Sequence, residues 1–348
     1  MPTDSGVVVS PLLFVPSHGK LERRNPPSTG TCTTPATFPE MTESIELPLR
    51  SRAQGCLLGL ACGNALGIPY QDVWPASKVF ETSHGSVREI DPNEALLSWD
   101  DDTAQAVAVA EELVETGRMN LRTLGKRLVD WRKSNARGIP TLVERVLDEI
   151  EGEIPVEEAS EDAFQRLGRN WSANNAAVVR AVPIALKFFR DPGRIASETV
   201  ISAKVTHWNP LCVWSAVALN LGIATILRDE PLHLTALAEE VRVHGAPESV
   251  CDAVAASRAP LSMFLLDGKA KSYTLKAMQV GLWALLSEGD MEDLLETVVL
   301  EGGDTDTNAA VAGAAIGARL GRQAVPDRWI ECIHEPGRII ALADALIA

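Results

Sequence analysis

The stretch EGGDTDTNAAVAGAAIGARLG, residues 301–321, joins a pair of glycines and two aspartates to a run of small apolar residues. The glycine pair lets the backbone approach a ligand closely. The residues that follow predict a helix packed closely at the centre of a helical bundle, because small side chains recur at Ala309, Ala310, Gly313, Ala314, Gly317 and Ala318. Carboxylates at the start of such a helix cost stability, so we infer that they serve a function.

The remainder of the chain is also patterned as helices. From Arg50 onward, segments such as LVERVLDEIEGE and CVWSAVALNLGIATILRD place apolar residues at i, i+3, i+4 and i+7. Glycine and proline lie between these segments, and no clear run of alternating residues indicates a strand. The sequence therefore predicts an all-α fold, a single compact orthogonal helical bundle over residues 49–348.

The first 48 residues have a different composition. They are rich in proline, serine and threonine and show neither helical nor strand periodicity, which predicts a disordered tail over residues 1–48. Arg23 and Arg24 leave an organelle-targeting role open. Asp4 and the lack of an arginine-rich amphipathic pattern favour a plain tail.

The composition indicates an acidic globular protein. At 348 residues, 46% of them hydrophobic, the chain is long enough for a sizeable core. A net charge of −15 argues against nucleic acid or an anionic membrane as the default partner. The six cysteines lack CxxC spacing, which favours buried thiols in a reducing compartment. No apolar run reaches the roughly 18 residues of a membrane span, so we expect a soluble protein of the cytoplasm or nucleus.

Two turns concentrate acid and threonine just before a helix, in SWDDDTAQAVAVAEELVETG (residues 98–117) and in GGDTDTN (residues 302–308). One aspartate would suffice as a helix N-cap. Three consecutive carboxylates at 100–102 repel one another, so a cation is the natural way to hold them together. In the second turn Asp304, Asp306 and Thr307 are spaced so that their oxygens converge. The two turns are therefore predicted halves of one site for Mg²⁺, Mn²⁺ or Ca²⁺.

A rival all-α interpretation is a terpene-synthase-like site, in which an aspartate-rich helix binds Mg²⁺ and a diphosphate. That site needs a second carboxylate one helical turn further on. The positions four after the three aspartates are Ala104, Gln105 and Ala106, so the required acidic face is absent and we set this interpretation aside.

Six motifs in chain order carry a resemblance: GCLLGLACGNALGIPYQ, WDDDTAQAVAVAEEL, ARGIPTLVERVL, SANNAAVVRAVPIAL, THWNP and GGDTDTNAAVAGAAIGARLG. From about Arg52 to Ile347 the chain resembles the ADP-ribosylglycohydrolases, all-α enzymes that use two magnesium ions to remove ADP-ribose from proteins or small acceptors. The resemblance implies a metal-dependent hydrolase of a glycosidic bond. Its ligands would be two Mg²⁺, or Mn²⁺, and ADP-ribose carried by a protein or a small molecule.

The resemblance also assigns residues. It implies that the metals are held by Asp100, Asp101, Asp102, Asp304, Asp306 and Thr307, where Asp100 replaces the usual threonine or serine. It places substrate beside Asn64, Gln71, Gly138, Asn175, His207, Gly302 and Gly303. Asn175 and Gly138 have simpler interpretations as helix-end residues, and for His207 a structural role is the favoured one.

Two positions depart from the family pattern. Asn64 stands where an aspartate is usual, and Gln71 stands where a glutamate near the metals is usual. Glutamine cannot act as a base, so our hypothesis is that Asp100 takes over the electrostatic or base role. Two metals would fix the ribose hydroxyls and lower the pKa of a bound water, and Asp101 or Asp102 would orient or deprotonate that water.

Three functions stay open at this point. The leading one is hydrolysis of an ADP-ribosyl bond on a modified protein side chain or small acceptor. The second is a catalytically silent module that binds ADP-ribose, because Gln71 has removed turnover. The third is hydrolysis of a free ADP-ribose derivative. Arg180 would assist the metals or simply tie helices together. The aromatic residues Trp99, Trp208 and Tyr273 could stack on adenine, but aromatic residues at helical spacing are more often core, so they are left out of the predicted site.

Overall fold

The computed structural model describes residues 48–95, 99–268 and 270–348. The regular elements of these ranges are eighteen α-helices and three short 3₁₀ helices, with one isolated bridge between Asn174 and Tyr273. The predicted all-α fold is thereby confirmed. The tail predicted for residues 1–48 lies outside the described ranges except for Pro48.

The helices are given in chain order. The α-helices are α1 (Leu49–Gly67), α2 (Ala76–Thr82), α3 (Pro92–Ala95), α4 (Asp101–Thr116), α5 (Leu121–Asn135), α6 (Thr141–Glu151), α7 (Val156–Trp171), α8 (Ala176–Arg180), α9 (Val182–Phe188), α10 (Pro192–Lys204), α11 (Pro210–Leu227), α12 (Leu234–Val243), α13 (Glu248–Ala256), α14 (Thr274–Leu286), α15 (Met291–Leu300), α16 (Thr305–Leu320), α17 (Asp327–Cys332) and α18 (Pro336–Ile347). The 3₁₀ helices are Ile68–Tyr70, Leu261–Phe264 and Arg322–Ala324.

Helices α1 and α16 form the centre of the bundle and pack backbone against backbone. Every fourth residue of α1 from 55 to 67 is a glycine, and these glycines face small residues of α16 that run in the opposite direction. A Cβ atom on Gly59 would lie 2.2 Å from the carbonyl oxygen of Gly313, and one on Gly63 would lie 2.1 Å from that of Ala309. No side chain fits between the two helices at these points. The close packing predicted for the helix after residue 304 is confirmed.

Helix α11 is the most apolar long helix of the described ranges. It is 18 residues long and, by length and composition alone, could cross a membrane, whereas the sequence analysis expected no run of that length. Most of it is buried, and it packs against α10 and α14. Its apolar character on all sides is therefore that of a helix in the protein core.

The cysteines of the described ranges are free thiols. Cys56, Cys62, Cys212 and Cys251 are buried, and Cys332 is half-buried. Burial raises the pKa of the Cys212 thiol to about 12, so this thiol is an unreactive packing residue. Cys32 lies outside the described residues.

The two acidic turns both lie at helix starts that meet the end of α1. Asp100 is the N-cap of α4, and Asp304 occupies the N-cap position of α16. The Thr305 hydroxyl donates a 2.8 Å hydrogen bond to the carbonyl oxygen of Gly67, the last residue of α1. Because α1 runs against α16, the loop that follows α1 is placed beside the second acidic turn.

Candidate active site

Five carboxylates are buried where α4 and α16 begin, each at most 6% exposed: Asp100, Asp101, Asp102, Asp304 and Asp306. Burial raises the pKa of Asp101 well above its usual range, and neighbouring carboxylates raise it further, that of Asp306 in the other turn among them. Burial and the charges of Asp304 and Asp102 likewise raise the pKa of Asp306. These repulsions cross from one turn to the other, so the structure brings the two turns together in one acidic cluster.

The donor set of this cluster fits a divalent cation. One carboxylate oxygen, Oδ1 of Asp306, is buried and accepts no hydrogen bond from the described residues. The hydroxyl of Thr307 is also buried, faces Asp102 and lowers the pKa of that carboxyl. Carboxylate and hydroxyl oxygens are ligands that Mg²⁺ accepts. Within the described part of the chain, no group of three or more aspartate, glutamate, histidine or cysteine side chains is arranged to hold a metal ion as it stands, so the fit rests on the chemistry of these donors and not on their spacing.

Hydrogen bonds between side chains hold the first turn. The Asp100 carboxylate accepts from the backbone N–H of Asp101 and caps α4. Gln105 lies one helical turn beyond Asp101, and its Nε2 donates a 2.7 Å hydrogen bond to Oδ2 of Asp101. Asn64 accepts from the Thr103 hydroxyl at 2.8 Å and lies 3.5 Å from Oδ2 of Asp102, donating to it through its Nδ2. The amide that replaces the usual aspartate thus contacts the cluster as a hydrogen-bond donor.

Gly138 lies against the first turn from the loop between α5 and α6. Its φ of +71° is in the left-handed region, and a Cβ atom there would lie 2.2 Å from Oδ1 of Asp100. Only glycine allows this loop to reach the Asp100 carboxylate. Gly138 therefore does more than end a helix, because it sets the space in which Asp100 lies.

Arg180 reaches the first turn through Gln105. Its Nη1 donates a 2.9 Å hydrogen bond to Oε1 of Gln105, and its Nη2 donates to the carbonyl oxygens of Ser202 and Ala203 at 3.0 Å. Burial lowers the pKa of Arg180 to about 10, so the guanidinium stays charged at neutral pH. Arg180 thus ties helices together and also positions Asp101 through Gln105. Gln105 was not predicted from the sequence as a site residue. Its position four residues after Asp101, on the same helix face, could have indicated it.

Backbone contacts hold the second turn. Gly302 and Gly303 have φ values of +72° and +85°, and a Cβ atom on Gly303 would lie 2.1 Å from the carbonyl oxygen of Leu266. The Gly303 carbonyl oxygen accepts from the backbone N–H of Asp72 at 3.2 Å. The close approach expected of this glycine pair is therefore to neighbouring backbone. The carboxylate that follows is oriented by Asn175, whose Nδ2 donates a 2.9 Å hydrogen bond to Oδ2 of Asp304.

His207 and Gln71 have different surroundings. His207 is buried, its Nδ1 lies 2.8 Å from the Thr206 hydroxyl, and its Nε2 lies 3.3 Å from Oδ1 of Asn174. Burial and the charge of Arg180 hold its pKa well below the usual range, so the ring is neutral, and a structural role stays the prediction for it. Gln71 is exposed on the loop after α1. That loop joins the second turn through the backbone of Asp72, not through the Gln71 side chain.

The three aromatic residues set aside by sequence are each engaged elsewhere. Trp99 Nε1 donates a 2.8 Å hydrogen bond to the carbonyl oxygen of His334. Lys204 Nζ lies 4.1 Å from the centre of the Trp208 ring. Tyr273 is half-buried and pairs with Asn174 through the isolated bridge. These contacts agree with their interpretation as packing residues.

Comparison with known proteins gives a consistent set of similarities. The sequence profile of the ADP-ribosylglycohydrolase family matches residues 46–348. The ADP-ribosylarginine hydrolase Tri1 of Serratia proteamaculans is 24% identical, over 95% of this chain and 86% of its own. The ADP-ribosylhydrolase ARH3 of Xenopus tropicalis is 23% identical, over 80% of this chain and 90% of its own. A solved structure described as an ADP-ribosylglycohydrolase-related protein complex matches with a TM-score of 0.66 and 26% identity, over 86% of this chain and 98% of that chain.

Proposed function

The chain belongs to the ADP-ribosylglycohydrolase family, whose members hydrolyse glycosidic bonds to ADP-ribose, and we propose that it does so with two Mg²⁺ held by its acidic turns. The substrate proposed is an ADP-ribosylated protein side chain. The observation that carries the proposal is the buried, unpartnered Oδ1 of Asp306 within five buried carboxylates. A divalent cation would balance the repulsion among these buried carboxylates.

The residues that would hold the metals are the five carboxylates of the cluster and the Thr307 hydroxyl. Magnesium bound there would supply Lewis-acid chemistry, lowering the pKa of water and stabilising charge at the breaking C1″ bond. It would also give an acidic protein a positive surface for the diphosphate of ADP-ribose. Manganese satisfies the same oxygen donors and is the alternative metal.

The side chains of the protein divide the work around that centre. Gln105 donates to Oδ2 of Asp101 and would thereby fix the orientation of that carboxylate beside the metals. Asn175 fixes Oδ2 of Asp304 in the same way. Asp101 or Asp102 would orient the attacking water. We assign the proton-accepting role to Asp100, because Gln71 is exposed and an amide cannot accept a proton in its place.

The test is release of ADP-ribose from arginine-linked and serine-linked ADP-ribosyl peptides and from free ADP-ribose derivatives. Each is assayed with Mg²⁺, with EDTA, and with an Asp304→Ala variant. Asp252→Ala is the matched control, because Asp252 is exposed on α13 away from the cluster. The arginine linkage is our first choice, since the Tri1 relative is named for it. We expect release that needs Mg²⁺, is lost in Asp304→Ala and is retained in Asp252→Ala.

Other results would identify the other functions. Undiminished release in EDTA would contradict the metal-dependent mechanism. Binding of ADP-ribose by calorimetry without release from any substrate would identify a silent binding module. Release only from free derivatives would move the substrate from modified proteins to small molecules.

A further inference from the structure

The rim of the site beside Gly302 and Gly303 is built by two loops. A Cβ atom on Gly302 would lie 3.1 Å from the Cα of Ala76 and 3.3 Å from the Cβ of Asp267. Oδ2 of Asp267 accepts a 3.1 Å hydrogen bond from the backbone N–H of Ala76. The segments 72–76 and 265–268 therefore meet at the residues that directly precede Asp304.

Each of these loops has a large apolar side chain in solvent. Trp74 is 68% exposed on the first loop, and Leu265 is 67% exposed on the second. Met263, two residues before Leu265, is 69% exposed. A groove of about 400 Å³ runs between the loops and is lined by Val73, Trp74, Asp267, Gly268, Lys271 and Gly303. Trp74 lines this groove, whereas Met263 and Leu265 precede its Asp267 wall in the chain; we call these three exposed side chains the rim patch.

The backbone at this rim is strained as well as apolar. Leu265 has a φ of +51° and a ψ of +53°, a left-handed conformation that a leucine rarely adopts and that costs about 1 kcal/mol or more. Glycine or asparagine would adopt this left-handed backbone conformation at a lower cost in free energy than an exposed leucine does. A strained residue that also exposes an apolar side chain beside a site indicates a functional surface.

We propose that the rim patch is a docking surface for the polypeptide that carries the ADP-ribosyl group. The inference rests on the proposed function and narrows its substrate from any ADP-ribosylated side chain, including one on a short peptide, to one carried by a folded protein. The groove reaches Gly303, one residue from Asp304, so the acceptor beyond the scissile bond lies within reach of the patch. A small acceptor ends before such a surface, whereas a protein acceptor continues across it.

The chemistry of the rim is that of a protein interface. Trp74 is a large, rigid anchor of the type that dominates protein–protein contacts. An ion pair between Lys271 and Asp72 lies at the edge of the groove and gives the apolar centre a polar border. The net charge of −15 disfavours an anionic membrane as the alternative occupant and favours a basic protein segment.

The experiment compares one linkage in two forms, as the free ADP-ribosylated amino acid and on a folded protein. The linkage is the one that the peptide panel shows to be cleaved. The variants are Trp74→Ser and Leu265→Asn, and asparagine keeps the left-handed backbone while it removes the apolar side chain. Val243→Ser is the matched control, because Val243 is 76% exposed at the end of α12, which packs on α11 and α13.

We expect each rim variant to lower kcat/KM on the protein substrate by roughly tenfold, mostly through KM, and to leave the free amino acid substrate unchanged. Val243→Ser should change neither substrate. Leu265→Asn should also melt at the same or a higher temperature than the wild type, because the backbone strain is relieved. Lost activity in that variant is then not explained by loss of folding.

Several results would overturn the docking surface. An equal fall on both substrates would show that the rim shapes the site itself. No fall on either substrate is the result expected if another part of the chain covers the patch. A wild-type dimer that Leu265→Asn converts to a monomer in sedimentation would make the patch a contact between copies. Cleavage of the free amino acid but never of the protein would overturn the surface and leave the hydrolase standing, whereas cleavage of neither substrate would overturn the proposed function.

Discussion

The turn at Asp100 and the turn at Asp304 each place buried carboxylates at the start of a helix, yet side-chain hydrogen bonds hold the carboxylate of Asp101, whereas the residue before Asp304, Gly303, is packed against neighbouring backbone. Asp101 is fixed by an amide that is itself fixed by Arg180. Gly303 is packed against the backbone of Leu266, and the side-chain hydroxyl of Thr305 donates to the carbonyl oxygen of Gly67. A side chain can rotate away from a methyl group that a substitution introduces, whereas packed backbone cannot. A substitution that crowds the first turn should therefore lower activity more than stability, and one that crowds the second turn should lower stability.

The largest effect is expected at the second turn. In Gly303→Ala the new methyl group would lie 2.1 Å from the Leu266 carbonyl oxygen, so we expect a loss of about 4 kcal/mol in the free energy of unfolding, measured by urea denaturation. Gly117→Ala is the matched control, since Gly117 also has a positive φ but no atom within 4 Å of a new Cβ. It should lose about 1 kcal/mol. Equal losses in the two variants would contradict the steric explanation.

The same substitution at the first turn should separate activity from stability. In Gly138→Ala the new methyl group meets the Asp100 carboxylate at 2.2 Å, and that side chain can move aside. We expect kcat to fall about 100-fold because Asp100 is displaced, while the free energy of unfolding falls by only about 1 kcal/mol. Steady-state kinetics and urea denaturation of one preparation measure both. A loss of stability as large as that in Gly303→Ala would remove the contrast between the turns.

Two hydrogen bonds, from Arg180 to Gln105 and from Gln105 to Asp101, form a relay that we expect to hold the first turn. Gln105→Leu would leave a guanidinium nitrogen and a carboxylate oxygen buried without their partner. We expect a loss of about 2 kcal/mol in the free energy of unfolding in EDTA, together with a fall in kcat. Gln279→Leu is the control, because Gln279 donates a single 3.2 Å hydrogen bond to the Ala253 carbonyl oxygen. If the two variants lose the same free energy of unfolding, the relay contributes no more than one ordinary hydrogen bond.

The smallest effect concerns the charge that the two turns share. Burial and neighbouring carboxylates raise the pKa of Asp306 in the folded protein, so its favourable contribution is complete below about pH 4 and is lost as the pH rises through the raised pKa. Asparagine cannot titrate. In EDTA, Asp306→Asn should therefore match the wild type near pH 4 and exceed it by about 1 kcal/mol at pH 8.

Magnesium is the control for this effect. A cation bound as proposed would stabilise the charged form of the wild-type cluster and should remove or reverse the advantage of Asp306→Asn at pH 8. Thermal unfolding over the pH range, with and without the metal, measures the difference. If the stability difference between Asp306→Asn and the wild type is the same at every pH, packing and not charge sets the stability of the variant.

The sequence was informative where the chemistry is local. The helical periodicity, the small residues after Asp304 and the run of aspartates at 100–102 are each visible within a few residues, and the structure has the fold and the meeting of the turns that they predict. Asn64 and Gln71 could not be told apart by their motif, since only the fold places one against Asp102 and leaves the other in solvent.

Other features depend on distant partners. The relay from Arg180 to Gln105 spans 75 residues and follows from how two helices face each other, which single-helix periodicity does not specify. The contact of Gly138 with Asp100 depends on the path of a loop. The close packing of α1 through its glycines could have been predicted, because their spacing of four in GCLLGLACGNALG places them on one helix face.

The pairing of α1 with α16 also fixes when the site comes into being during synthesis. The hydrogen bond between Gly67 and Thr305 joins residues 238 positions apart. At ribosomal rates that gap corresponds to roughly ten to fifty seconds, during which α1 exists without the helix that it packs against. Its glycines make it a poor helix on its own. An incomplete chain therefore lacks the full acidic cluster until α16 has been synthesised.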